Sequence, residues 1–233
     1  MDLLKFKNKS LYLYNTRIEN IVHQRETPFY LYSVDQIKKN IKQIKSSFKN
    51  FKPLVCFAIK ANSNLSILKE LKKNNLGADV VSIGELKLAL KAGIKPNKIV
   101  FSGVGKTDKE IKFAIQKGIL SINAESKNEI KLINNISKKL RKIINIGVRI
   151  NPNIKAKTNR KITTGNKVNK FGISISEFLD VIKNKNNFQN INIFLLSVHI
   201  GSQIKDINVY KKVLNLISKI LLKLKNLKHS INY

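Results

Sequence analysis

The chain has one cysteine, no tryptophan, four prolines and three histidines in 233 residues. A lone cysteine, Cys56, excludes an internal disulfide framework and any zinc site made of cysteine alone. His23, His199 and His229 lie far apart, which argues against a histidine-rich metal cluster. No apolar run reaches the roughly 20 residues a spanning helix needs, and the opening MDLLKFKNKS lacks the unbroken apolar stretch of a secretory signal. The expectation is a cytoplasmic, reducing setting with no membrane partner. Apolar residues still make up 42% of the chain, enough for a sizeable core and too many for general disorder.

Acidic residues are scarce too, 14 against 45 Lys and Arg, for a formal net charge of +31. Such a charge invites a nucleic-acid reading. Arginine, however, occurs only at Arg17, Arg25, Arg141, Arg149 and Arg160. Sequence readers favour its planar fork over the lysine ammonium. The lysines are spread over almost every expected helix, so the charge reads as solvated helix faces, and no specific nucleic-acid partner is expected.

Seven short β-branched runs alternate with helical spacing, at residues 29–33, 54–60, 78–82, 98–103, 119–125, 144–151 and 191–201. Between them Ile37, Ile41 and Ile44, then Ile67, Leu68 and Leu71, then Ile111, Ala114 and Ile115 form apolar helix faces. Gly77, Gly93 and Gly118 sit where helices should stop before the next strand. Near-continuous apolar strands joined by crossover helices predict an α/β fold with a parallel sheet, either a (β/α) barrel or a doubly wound sheet. A long polar loop, 151–172, follows one strand's C-terminal end, where barrels carry their sites. FSGVGKT (101–107) lacks the spacing of a phosphate-binding P-loop; Thr107 reads as a helix cap with Glu110 at the third position.

Strand alternation places Cys56, Ala58 and Lys60 on one face and the larger Val55, Phe57 and Ile59 on the other. The bulky face should meet the helices, leaving Lys60 to look into the interior. A buried amine without a partner tends to lose its proton, which is what Schiff-base chemistry requires. The plainer alternative is a lysine snorkelling out of a strand end. In the same way Ser197 and His199 share a face, and His199 could stack on a flat cofactor, ligate a metal or be a satisfied core histidine. Arg149 falls in parity with Gly147, and Asp79 and Glu85 are its candidate partners, although Glu85 also suits a helix's first turn.

CFAIKANSNLSILKEL, ADVVSIGELKLALKAGI, IVFSGVGKT, NAES, VRINPNIKAKT, TGNKVNKFGI and HIGSQI, in this order, resemble the diaminopimelate decarboxylase family. These are pyridoxal-phosphate-dependent enzymes built on an alanine-racemase-like barrel. The resemblance runs from Thr27 to Tyr233, and the segment AKTNRKITTGNKVNKFGI sets it apart from ornithine and arginine decarboxylases. It implies that Lys60 bonds pyridoxal 5'-phosphate, that His199 stacks on the cofactor ring and that Ser202 lies near its phosphate. It implies further that Asp79, Glu85 and Arg149 surround the cofactor and that Lys170 stands in a loop at the mouth of the site. The substrate implied is meso-diaminopimelate, the products L-lysine and CO2, and the assembly a homodimer.

Some features depart from the family. Ile83 stands where a second glycine is usual, and Asn159-Arg160 replace a typical His-Pro. HSINY ends where the family continues into a glycine phosphate loop, the last barrel strands and a C-terminal β-domain. The expected fold is therefore an incomplete (β/α)8 barrel over residues 27–233, with residues 1–26 a segment that packs on that β-domain in the family. The matching expectation is a fragmentary decarboxylase with poor or no turnover alone. The alternatives are a non-catalytic pyridoxal-phosphate-binding barrel, a related basic amino-acid decarboxylase, or a basic binding module.

Overall fold

A computed structural model of the chain describes residues 4–51, 53–154 and 171–232. Three short antiparallel strands come first: β1 (Leu4–Lys7), β2 (Ser10–Leu13) and β3 (Thr16–Arg17). Asn8 and Lys9 join the first two with φ of 49° and 62°, the paired left-handed conformation of a tight hairpin turn. Helix α1 (Ile18–Val22) follows, and the Tyr14 hydroxyl donates to Gln36 Oε1 at 2.6 Å, tying the hairpin to helix α2 (Val34–Ser47). The apolar pattern here is too short to announce these strands, and they went unanticipated.

From residue 56 onward strand and helix alternate. Strand β4 (Cys56–Ala58) leads to α3 (Leu65–Lys73), β5 (Gly77–Val80) to α4 (Ile83–Lys91), and β6 (Ile99–Phe101) to α5 (Asp108–Lys117). Then come β7 (Ser121–Ala124), α6 (Lys127–Lys139), β8 (Ile144–Ile150), α7 (Ile175–Lys183), β9 (Ile191–Val198) and α8 (Ile207–Asn226). The six strands β4 to β9 are all parallel and lie side by side in sequence order. A doubly wound sheet reverses direction at a switch point; this one never does, so it is the wall of a barrel. Among the described residues β4 and β9 are its two edges.

One apolar layer between sheet and helices holds the wall together. Ile59, Leu68, Val80, Leu86, Phe101, Ile111, Ile130, Ile146 and Phe178 are each completely buried. Helix starts are set by short polar caps: the side chains of Asn64, Ser82, Thr107, Ser126, Ser174 and Asp206 each accept an amide of the first turn. Thr107 and Glu110 form the reciprocal box expected of them. Asn64, Ser82, Thr107 and Ser126 each cap a helix within six residues of the end of the preceding strand, so the loops there are short.

Two expectations about single segments need correction. Residues 29–33 join no sheet, and Tyr30 is 91% exposed; without a neighbouring strand the apolar pattern cannot bury itself. Gly77 ends no helix but starts β5, where a Cβ would collide with the Lys98 carbonyl oxygen; Asn75, at φ 63°, makes the left-handed turn after α3 instead.

Candidate active site

At the C-terminal ends of the strands lies a cavity of about 390 Å³. Every barrel strand contributes to it: Lys60 beyond β4, Asp79 from β5, Ser102 beyond β6, Asn123 and Glu125 at β7, Arg149 from β8 and His199 beyond β9. Alternation along β8 puts Arg149 above Gly147. In β9 an irregularity between the pairs Ile146–Ile193 and Gly147–Leu195 leaves Phe194 as an extra residue. That step sets Leu195 and Ser197 beside Gly147 and Arg149, and so brings His199 round to the cavity.

The floor is a chain of hydrogen bonds. Ser102 Oγ donates to Asp79 Oδ1 at 2.6 Å, Asn123 Nδ2 donates to Ser102 Oγ at 3.0 Å, and Ser121 Oγ donates to Asn123 Oδ1 at 3.2 Å. Arg149 does not pair with Asp79 or Glu85, as its parity had suggested. Its Nη1 donates to Glu125 Oε1 at 2.9 Å, and its guanidinium lies 4.7 Å from the centre of the Phe171 ring. Glu125, 4% exposed, also accepts the amides of Gly103 and Gly172, each at 3.1 Å. Two backbone amides and a stacked ring thus converge on one ion pair.

Lys60 differs from expectation in its surroundings. The strand stops at Ala58, and Lys60 sits in a 3-10 turn (Ile59–Ala61) whose neighbour Ile59 is fully buried. Lys60 itself is exposed on the cavity rim, not in a dry hollow, because β4 has a pairing strand on one side only among the described residues. Cys56, on the same face, is turned by burial into an unreactive thiol, its pKa pushed up to about 11.

Burial raises the Asp79 carboxyl above its ordinary value of 3.8, against the pull of the Ser102 hydroxyl and of Lys60, Arg149 and His199. The folded chain therefore binds the Asp79 proton more tightly than the unfolded chain does. Stability from this group is present below the unfolded value and is lost as pH rises through the folded one. Asp79→Asn keeps an oxygen for Ser102 and removes the charge. It is expected to melt higher than wild type at pH 7, with the difference shrinking toward pH 4; no difference between the two pH values would contradict the assignment. His199 moves the other way. Partial burial, then Arg149 and Lys60, hold its imidazole below the usual 6.5, so the ring is predominantly neutral at pH 7.

Comparison with known proteins places this arrangement. The family model described as "Pyridoxal-dependent decarboxylase, pyridoxal binding domain" matches residues 34–233. The chain belongs to this family. A diaminopimelate decarboxylase of Helicobacter pylori strain J99 is 46% identical over 202 residues, covering 87% of this chain and 50% of the relative. That of Campylobacter jejuni is 42% identical over 211 residues, covering 89% and 52%. Among solved structures, diaminopimelate decarboxylase from H. pylori, complexed with L-lysine, superposes with a TM-score of 0.89 at 44% identity, covering 92% of this chain and 54% of that one. The M. jannaschii enzyme, also with L-lysine, gives 0.91 at 34% identity, covering 99% and 55%. The chain spans about half the length of the curated relatives it matches.

Within this pyridoxal-dependent decarboxylase domain, the cavity gathers Lys60, Asp79, Arg149 and His199 but not every residue singled out from the sequence. Glu85 accepts the Val81 amide at 2.9 Å in the first turn of α4 and does not line the cavity. Ser202 is exposed beyond β9 and does not line it either. Lys170 lies outside the described residues. Glu125, Ser102 and Asn123 were missed. Glu125 closes an apolar run at a strand's C-terminal end, the same signal that singled out Asp79. Among the described residues no helix is long and apolar enough to cross a membrane.

Proposed function

We propose that the cavity takes pyridoxal 5'-phosphate with Lys60 as the residue that bonds it. On this reading the chain is the cofactor-binding part of a diaminopimelate decarboxylase, converting meso-diaminopimelate to L-lysine and CO2. The observation that carries the proposal is the convergence of Lys60, Asp79, Arg149 and His199, from four different strands, on one cavity of about 390 Å³. That volume lies within the range of small-ligand pockets. Sequence identity of 46% to a diaminopimelate decarboxylase adds the substrate class.

The residues present fit the group. A primary amine stands open to an incoming aldehyde. An imidazole kept neutral by its surroundings can lie flat against an aromatic ring. When bound, the cofactor supplies an aldehyde that captures amines and a pyridine ring that takes up the electron pair released by a departing carboxylate. Arg149, anchored by Glu125, keeps a cation in the cavity that favours carboxylate or phosphate oxygens. Asp79, through Ser102 and Asn123, holds the floor rigid beneath the reacting groups. Ser202 and Glu85 are proposed as outer contacts and Lys170 as a lysine at the mouth. In the net reaction the bond from carbon to one carboxylate breaks, CO2 leaves, and that carbon retains the electron pair and gains a proton. A homodimer is the proposed assembly, measurable by light scattering.

Borohydride reduction of the chain mixed with pyridoxal phosphate, followed by peptide mapping, tests the assignment. The expected result is a pyridoxyl mass increment on the peptide containing Lys60. A folded chain carrying the increment elsewhere, or nowhere, overturns the proposal.

A further inference from the structure

Lysine covers the surface of this chain, yet among the described residues one lysine, Lys106, is buried, with its side chain only 1% exposed. Its surroundings explain why. The ammonium has three N–H groups, and each has an acceptor: the Gly103 carbonyl at 2.5 Å, the Asn123 carbonyl at 2.8 Å and Glu129 Oε1 at 3.0 Å. The ring of Phe101 lies 5.8 Å away. Burying an ammonium is costly, and only full satisfaction of its donors offsets that cost.

Two of these contacts lead back to the cavity. Gly103 turns at φ 96°, giving its carbonyl to Lys106 and its amide to Glu125 Oε1. Glu129 gives one oxygen to Lys106, while the other accepts the Glu125 amide at 2.7 Å. Lys106 therefore grips both the loop that binds the Glu125 carboxylate and the helix end that binds the Glu125 backbone. Glu125 in turn holds Arg149 and the amide of Gly172.

We propose that Lys106 is a positioning residue: its ammonium fixes Glu125, and through it the Arg149 guanidinium, in the cavity beside Lys60. The functional half of this inference rests on the cavity being the pyridoxal phosphate site; the structural half does not. Lys106 itself touches none of the reacting groups.

Methionine has nearly the length and volume of lysine without its donors, whereas arginine keeps the cation and the donors but not the shape. If Lys106 only filled space, K106M would match wild type and K106R would be worse. The proposal reverses that order. Amide exchange measured by NMR on the full chain is expected to accelerate at Gly103 and Gly172 in K106M by on the order of tenfold or more. The Ile173 amide, bonded to the Arg149 carbonyl, should not change. In borohydride labelling at Lys60, K106M should need about tenfold more pyridoxal phosphate, a difference of about 1.4 kcal/mol, with K106R in between. Leu224→Ala, in the distant α8, controls for general destabilisation and should leave both amides protected relative to Ile173.

Unchanged exchange at Gly103 and Gly172 in K106M, or labelling at least as good with Met as with Arg, overturns the proposal. If K106M does not fold, E129Q is read at the same two amides; it should accelerate them less strongly, and no acceleration counts against the clamp. A wild-type chain that takes no label at Lys60 defeats the cofactor reading instead, while the exchange data still decide whether Lys106 holds Glu125.

Discussion

Glu125→Ala is expected to cost the folded chain about 3–5 kcal/mol, the range for removing one partner of a buried ion pair. The loss has three sources that act together. Arg149 keeps a side chain only 12% exposed and has lost the carboxylate 2.9 Å away. The amides of Gly103 and Gly172 lose their acceptor in the same stroke. A small cavity opens where the carboxylate sat. Glu125→Gln retains one oxygen and the volume, so it should cost clearly less. Urea unfolding of both variants separates these outcomes. A loss for Glu125→Ala below about 1 kcal/mol, the scale of an exposed pair, would mean that water reaches Arg149 and that the ion pair organises nothing.

Gly77→Ala is expected to be nearly as damaging, for a reason that has nothing to do with charge. A Cβ at Gly77 would strike the carbonyl oxygen of Lys98 and come within 2.7 Å of Cys56 Sγ. The sulfur can rotate away; the carbonyl is backbone beside the neighbouring strand and cannot. Overpacking of this kind costs about 1–3 kcal/mol or more, and relief by moving β5 would displace Asp79, two residues on. Gly84→Ala in α4 is the contrast. There the nearest atom to a new Cβ is Ser82 Oγ at 3.7 Å, and alanine's helix preference should stabilise the chain by up to about 1 kcal/mol. Thermal melts of the two variants should move in opposite directions. Equal shifts would show that close approach between strands is not what excludes a side chain at 77.

Much of this architecture could be read directly. Apolar runs at 54–60, 78–82, 98–103, 119–125, 144–151 and 191–201 each contain a strand, because a sheet covered by helices must be apolar on both faces. The faces of α3 and α5 follow the same logic: Leu68, Leu71, Ile111, Ala114 and Ile115 are buried as their spacing requires. The run at 29–33 shows where pattern misleads, since composition cannot say whether a strand has a neighbour. Helix α2 shows it too: Ile41 is buried while Ile44 remains 44% exposed.

The site was legible one residue at a time but not in its connections. Lys60, Asp79, Arg149 and His199 were identifiable from strand-end position. The pairing of Arg149 with Glu125 was not, because those residues stand on adjacent strands and their contact depends on register. Lys106 was invisible among so many lysines, since burial is decided by what surrounds a side chain.

Local chemistry along the chain is therefore enough to specify the order of strands and helices, the caps that start the helices, and the residue types delivered to the strand ends. Those depend on period, propensity and capping, which act over a few residues. Tertiary structure alone settled three other matters: the unbroken order of the six parallel strands, which realises the barrel that the family resemblance implied, the extra residue in β9, and the partners of each buried charge. Each depends on which distant segments lie side by side, and that is fixed by packing across the sheet.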